Sequence, residues 1–431
     1  MSRRVVITGM GWITPLGHEL EAVWKRLLAC ESGAAPTTNF DARTFPSQFS
    51  AEVKDFDLRN FLGPRYENHK TCSRNSGFAL AAAELAWAHA GLNGGPGVNP
   101  EMVGVYLGGG EGPIDFDNFA AAAITGWDPE QRDLNALRWA EVAAERLTAV
   151  TEFEQDPNCA AGHIACRFNA QGPNFNTLTA CAASTQALGE ATMIIRAGDA
   201  DVMISGGAHS MIHPLGVTGF NRLTALSTRN DDCARASRPF DKTRDGFVLG
   251  EGAGILILEE LASARRRGAT PIAEISGYGS TADAFRVTDM HDQGRGAIAA
   301  MRGAISDAGI TIDDIDYVSA HGTSTEENDK VETRAIREVF GQRARQVPVS
   351  SVKSMFGHLI AGAGAVELIT CALAIRDGII PPTANYQTPD PNCDLDYVPN
   401  AARRADVRIC LSNSFGFGGQ NDTLIIRRFE S

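Results

Sequence analysis

The chain reads as an α/β protein. Short β-branched runs alternate with longer segments whose apolar residues recur at three- and four-residue intervals. At 431 residues the chain is too long for one small domain and suits two units sharing a core. A composition of 43% hydrophobic and 21% charged residues is that of an ordinary globular protein.

Strands are expected at Arg4–Thr8, Val103–Leu107, Asn174–Thr179, Asp201–Ser205, Gly254–Glu259, Ile272–Gly279, Asp316–Ala320, Val407–Ser412 and Thr423–Arg428. Helices are expected at Ser76–Ala90, Cys181–Ala197, Gly296–Ala308, Lys330–Phe340 and Ala363–Arg376, with Gly198, Gly309 and Gly378 as C-terminal caps. Asn174–Thr179 runs into a helix beginning at Cys181. Val347–Ser351 runs through a Gly-containing turn into the Ala363 helix. This echo suggests a duplication, with halves at residues 1–260 and 261–431 and the Arg-rich Ala264–Gly268 near the junction. Gly112–Pro157 departs from the rhythm and reads as an insertion around Trp127, with an amphipathic helix over Leu134–Val150.

Several classes are excluded. The apolar run after Arg4 is too short for a signal peptide and reads as a first strand. No apolar stretch approaches the roughly 20 residues that cross a bilayer, so a cytoplasmic protein without membrane insertion is expected. The nine cysteines form no CxxC pair and no zinc-spaced cluster. Most, including Cys30, Cys166, Cys371 and Cys410, are expected to be small buried hydrophobes. A formal charge of −13 argues against nucleic acid. An acidic partner would need a local basic patch, for which Arg65, Lys70 and Arg74, with Arg222, are the candidates. Gly9-Met10-Gly11 is not a dinucleotide fingerprint, because position 14 is Thr.

Chemistry concentrates in four segments. Thr179–Thr185 places a thiol, Cys181, where a strand gives way to a helix N-terminus, whose unpaired N–H groups favour a thiolate. Ser319–Thr325 and Ser351–His358 each put a histidine, His321 and His358, after a strand. One thiol and two imidazoles could meet at the carboxyl edge of a sheet. Hydrolytic cysteine enzymes pair the thiol with one histidine and an Asn or Asp, whereas a second histidine supplies a second donor to a developing oxyanion. Ser412–Asn421 holds the Gly-rich Phe-Gly-Phe-Gly-Gly, either a plain hairpin turn or a backbone that donates N–H groups to a ligand.

These four segments, with Arg238–Lys242 and Asp245–Gly254, resemble the β-ketoacyl-[acyl-carrier-protein] synthases, elongating type II condensing enzymes, over residues 4 to 428. The resemblance implies a thiolase fold of two duplicated α/β halves in five layers, usually a homodimer. It implies an acyltransferase that condenses an acyl group with a malonyl thioester carried by acyl carrier protein, without metal or organic cofactor. Cys181 then matches the acyl acceptor, and His321 and His358 the histidines of decarboxylation and condensation. Lys353 matches the active-site lysine, with Glu332 as its ion-pair partner. The N–H groups of Cys181 and Phe417 match the oxyanion hole, and Phe417 also a gate beside Phe415. Thr323 and Thr325 match the phosphopantetheine contacts, and Phe220 a wall of the acyl pocket. Ser319 replaces an Asn that, with matches to Glu367, Ser412 and Asn413, serves a structural cation in some relatives.

Two other readings share the fold. A chain-length-factor-like partner subunit would lack the nucleophile. A coenzyme-A thiolase would need a second cysteine as base near the C-terminus, where Cys410 sits inside an expected strand.

Overall fold

The computed structural model describes residues 3–93, 98–110 and 114–430. Ten strands form its main sheet: β1 (Val5–Ile13), β2 (Val103–Gly108), β3 (Asn174–Thr177), β4 (Val202–His209), β5 (Gly252–Glu260), β6 (Ala273–Ala282), β7 (Tyr317–Ser319), β8 (Val349–Ser350), β9 (Ile409–Gly416) and β10 (Gln420–Arg428). The principal helices are α1 (Arg74–His89), α2 (Cys159–Phe168), α3 (Ala183–Ala197), α4 (Arg295–Ala308), α5 (Glu326–Phe340) and α6 (Ala363–Asp377).

The spatial order is β8-β7-β9-β10-β6-β1-β5-β4-β2-β3. From either edge inward the chain order is third, second, fourth, fifth, first within each set of five. In each block the second strand lies parallel to the third and fourth, and the remaining pairs are antiparallel.

Helices α3 and α6 pack between the two blocks around Leu188, Ile195, Leu368 and Ile369. Helices α1 and α2 cover the first block outside, through Phe78, Leu80 and Ile164. Helices α4 and α5 cover the second, through Met301 and Ile336. The result is the five-layer thiolase fold.

Glycine permits the closest contacts. A Cβ on Gly9 or Gly11 of β1 would stand 2.2 or 2.3 Å from the carbonyl oxygens of Ala86 and Ala82 in α1. On Gly277 and Gly279 of β6 it would stand 2.2 and 2.1 Å from those of Ala304 and Ala300 in α4. Gly9-Met10-Gly11 is therefore a helix–strand contact, repeated in the second half.

Some expectations need correction. Strand β3 stops at Thr177, and Cys181 lies in a 3₁₀ turn, Ala180–Ala182, that precedes α3. The expected helix over Leu134–Val150 is two helices, Ala136–Arg146 and Ala149–Phe153. It breaks because Leu147 is extended and the Thr148 side chain accepts the Thr151 N–H, capping a new helix instead of continuing the old one. Gly112 and Pro113, at the start of the expected insertion, lie outside the described residues. Cys166 is exposed, on the solvent side of α2, whereas Cys371 and Cys410 are buried. Among the described residues no helix is long and apolar enough to cross a membrane.

Candidate active site

Two matched turns build the centre of the site. Ala180 (φ 48°) and Ile360 (φ 42°) both occupy the left-handed region and open 3₁₀ turns, Ala180–Ala182 and Ile360–Gly362, that lead into α3 and α6. Such backbone is costly for a side-chain-bearing residue and persists only where packing enforces it. The enforcing contact is the crossing of α3 and α6. A Cβ at Gly364 would lie 1.9 Å from Thr185 Oγ1, and Ser184 Oγ accepts the Ala365 N–H at 3.0 Å. The two helix N-termini thus meet, with Cys181 on one and His358 just before the other.

Cys181, His321 and His358 are all buried, and their donor atoms lie within 4.8 Å of one another. His358 Nε2 is 3.0 Å from Cys181 Sγ, while its Nδ1 accepts the Ile360 N–H at 3.2 Å. The proton of His358 therefore sits on Nε2, facing the sulfur. His321 is arranged alike: Lys353 Nζ lies 3.3 Å from its Nδ1 and donates to its carbonyl oxygen at 2.7 Å. Its Nε2 is thereby the protonated nitrogen. The two rings meet edge to face at 5.5 Å, and Phe415 and Phe247 pack against His321 and His358 at 5.7 and 5.1 Å.

The hairpin between β9 and β10 supplies the last element. It is a Gly-rich hairpin turn and it also reaches the sulfur's surroundings: the backbone N–H groups of Phe417 and Cys181 both favour the thiolate form of Sγ. A Cβ on Gly416 would stand 2.7 Å from the Thr179 carbonyl oxygen and 3.3 Å from Cys181 N, so only glycine lets the hairpin approach this closely. These residues line a cavity of about 420 Å³. Its wall includes Thr323 and Thr325, whose hydroxyls are 2.8 Å apart, with Phe415 and Phe417. Phe220 lies off this wall, against Phe247 at 5.6 Å, in the apolar cluster that holds Cys181.

The expected Lys353–Glu332 pair is not what forms. Lys353 Nζ pairs with Glu367 on α6, both side chains buried. Glu332 instead accepts the N–H groups of His321 and Gly322, each at 2.8 Å, and the Asn413 side chain at 3.3 Å. As part of α5, Glu332 fixes the turn that carries His321. The expected basic patch also changes. Arg74 is committed to the buried Glu251 at 2.6 and 3.0 Å, leaving Arg65 and Lys70 exposed, with Lys70 beside Glu67.

Burial dominates the electrostatics. It holds His321 and His358 well below the ordinary imidazole value, with the Lys353 charge adding to the effect, so both are neutral donors near pH 7. It pushes the Cys181 thiol up to about 12, opposed by Lys353 and the N–H groups of Phe417 and Cys181. It also raises Glu332 and Glu367 to about 7, against the His321 and Gly322 N–H groups in one case and Lys353 in the other. Three buried oxygens, Ser319 Oγ, Ser412 Oγ and Glu367 Oε2, have no hydrogen-bond partner among the described residues, and Ser319 and Ser412 face each other in the β7–β9 ladder. Such hard oxygens suit a cation, so the serine at position 319 leaves a donor set that fits one.

Three contributors escaped the sequence reading. Arg244 donates to the carbonyl oxygens of Thr325 and Glu326 and to Asp390, clamping the threonine wall. Phe247 orients His358. Glu367, expected as a cation ligand, pairs with Lys353, and a lone carboxylate within the apolar run Ala363–Ile375 signals such a buried cationic partner.

Comparison with known proteins follows the same lines. The chain matches the family models described as Beta-ketoacyl synthase, N-terminal domain, over residues 2–264 and Beta-ketoacyl synthase, C-terminal domain, over residues 272–387. It is 42% identical to the 3-oxoacyl-[acyl-carrier-protein] synthase 2 of Coxiella burnetii, covering 99% of each chain. A Beta-ketoacyl synthase from Burkholderia phymatum STM815 superposes with a TM-score of 0.88 at 32% identity, covering 99% of this chain and 100% of that one. A chain of AntDE:AntF, a type II PKS acyl-carrier protein in complex with its ketosynthase bound to the hexaketide, superposes with a TM-score of 0.86 at 33% identity, each covered in full.

Proposed function

The chain belongs to the β-ketoacyl synthase family, and on that premise we propose that it is a 3-oxoacyl-[acyl-carrier-protein] synthase with Cys181 as its acyl acceptor. The observation that carries the assignment is the convergence of His358 Nε2, at 3.0 Å, and His321 on one buried sulfur whose thiolate the Cys181 and Phe417 N–H groups favour.

In the first half-reaction Cys181 Sγ attacks an acyl thioester. The tetrahedral oxyanion is held by the Cys181 and Phe417 N–H groups, the carrier thiol leaves, and the sulfur's proton goes to it. In the second, the malonyl group enters past Thr323 and Thr325, whose hydroxyls face the arm. Its carboxylate C–C bond breaks, CO₂ departs, and the electron pair forms an enolate. The enolate oxygen accepts from His321 Nε2–H and His358 Nε2–H, whose tautomers Lys353 and the Ile360 N–H enforce. The enolate carbon then attacks the Cys181 thioester, the same oxyanion hole serves again, and the expelled thiolate takes up one proton.

Only these side chains and two thioesters enter the steps, so we assign no dissociable organic cofactor. We also read the chain as a cytoplasmic homodimer that works with acyl carrier protein. The edge strand β3 and the segment before α2 expose Phe175, Leu178, Ile124, Trp127, Leu137 and Phe153, an apolar surface that suits a second copy. The solved complex of a ketosynthase with its carrier supports the carrier reading.

The test is intact-mass analysis of Cys181→Ala, His321→Ala and His358→Ala after mixing with acyl and malonyl carriers. The cysteine variant should take no acyl group. The histidine variants should acylate and yet form little 3-oxoacyl product. A stable acyl-enzyme without Cys181 would overturn the assignment.

A further inference from the structure

The Phe220 side of Cys181 is not uniformly apolar. Any acyl chain on Sγ shares the sulfur's surroundings with the cavity through which the carrier arm enters, and that cavity is walled by Leu223–Ala225, Thr323 and Thr325. The chain must therefore run the other way, into the cluster of Ile212, Val217, Phe220, Phe247 and Ile360 packed with Cys181. Two histidines stand at this cluster. His213 follows Ile212 directly and caps the helix Pro214–Arg222 that carries Val217 and Phe220. His209 ends β4 on the same face as Gly207, where a Cβ would meet the Ala361 carbonyl oxygen at 2.5 Å and the Ser184 side chain at 2.7 Å, beside the two catalytic turns.

Among the described residues neither ring is satisfied. His209 is 1% exposed, and among the described residues neither of its nitrogens has a hydrogen-bond partner. His213 Nδ1 accepts the Gly216 N–H at 3.3 Å, which puts its proton on Nε2, and that buried N–H also has no partner among the described residues. Burial holds both rings below the ordinary imidazole value, His213 lowering His209 further and His209 lowering His358. The fit around them is tight. A Cβ on Gly110 would stand 2.4 Å from His209 Nδ1, and Phe116 flanks His213 at 6.2 Å. Buried polar atoms are rarely left unpaired, and a hydrocarbon chain would pair none of these.

We propose that His209 and His213 form a polar subsite of the acyl pocket that selects acyl chains bearing an oxygen substituent, a hydroxyl or an oxo group, over saturated chains of the same length. A hydroxyl serves either ring, accepting from His213 Nε2–H or donating to the unprotonated nitrogen of His209. An oxo group accepts from each ring. The proposal rests on Cys181 being the acyl acceptor.

The test measures the rate of Cys181 acylation by intact mass, using length-matched acyl thioesters that are saturated or carry a hydroxyl or an oxo group at successive positions. Wild type should acylate faster with at least one oxygenated chain than with its saturated counterpart, by tenfold or more. His209→Leu and His213→Leu should each bring that ratio close to one, chiefly by accelerating the saturated chain. A wild-type ratio near one at every substituent position overturns the subsite, and so does a preference that survives in both variants. Wild-type protein that acylates with none of the thioesters would instead refute the acyl-acceptor reading. The wild-type ratio decides even if a leucine variant fails to fold.

Discussion

Replacing Gly416 with alanine tests how tightly the hairpin is held against the Cys181 turn. The added Cβ would lie 2.7 Å from the Thr179 carbonyl oxygen and 3.3 Å from the nitrogens of Cys181 and Ala182. All three are backbone atoms of a strained turn, so the hairpin must retreat, taking the Phe417 N–H with it. The φ of Gly416 is not in the left-handed region, so alanine itself is conformationally tolerated and the effect is one of space. Loss of one oxyanion donor costs about 3 kcal/mol in the barrier, or on the order of a hundredfold in rate. Acylation of Cys181 in Gly416→Ala, followed by intact mass, should fall by that factor. Alkylation of Cys181 by iodoacetamide forms no tetrahedral oxyanion and should change by less than about threefold. Acylation at the wild-type rate would refute the reasoning. Equal loss in both reactions would show that the turn itself had collapsed, which refutes it as well.

Further outcomes follow from the buried charges. Glu367→Gln leaves the Lys353 ammonium unpaired in the core and should destabilise the fold by about 3–5 kcal/mol in urea unfolding, whereas Lys353→Met with Glu367→Leu should recover much of it. Glu332→Gln keeps one acceptor for two N–H groups, so condensation should fall by about tenfold or more through the displaced His321 turn while Cys181 acylation holds, as quenched-flow mass analysis would show. His209 is held neutral down to about pH 3 by burial. In the unfolded chain it protonates near 6.5, so the unfolded state binds the extra proton below that pH and stability is lost as pH falls. Moving from pH 7.5 to 5.5 should therefore cost wild type about 1.4 kcal/mol more than His209→Leu. Glu332 and Glu367, raised to about 7, push the other way in both proteins and cancel in that difference.

The α/β layering and the three side chains that meet at the cavity, Cys181, His321 and His358, were legible in the sequence because each rests on local chemistry. Alternating periodicities mark strands and helices. A thiol or imidazole set at a strand end among Gly, Ser and Thr marks an exposed turn, and Gly198, Gly309 and Gly378 end their helices as C-caps with left-handed backbone. Parallel strands then set Cys181 at the end of one block and His321 and His358 at the end of the other, and the crossing of α3 with α6 brings the two together. Which buried charge meets which was not legible. Lys353 is 14 residues from Glu367 and 21 from Glu332, and both carboxylates lie on helices with buried faces. The choice depends on where α5 and α6 pack: α5 aims Glu332 at backbone N–H groups, and α6 aims Glu367 at the ammonium. The unpaired nitrogens of His209 and His213 are likewise invisible in one dimension, because an unsatisfied atom is defined by everything folded around it. Local turn chemistry declared the reactive groups, and long-range packing alone decided their partners.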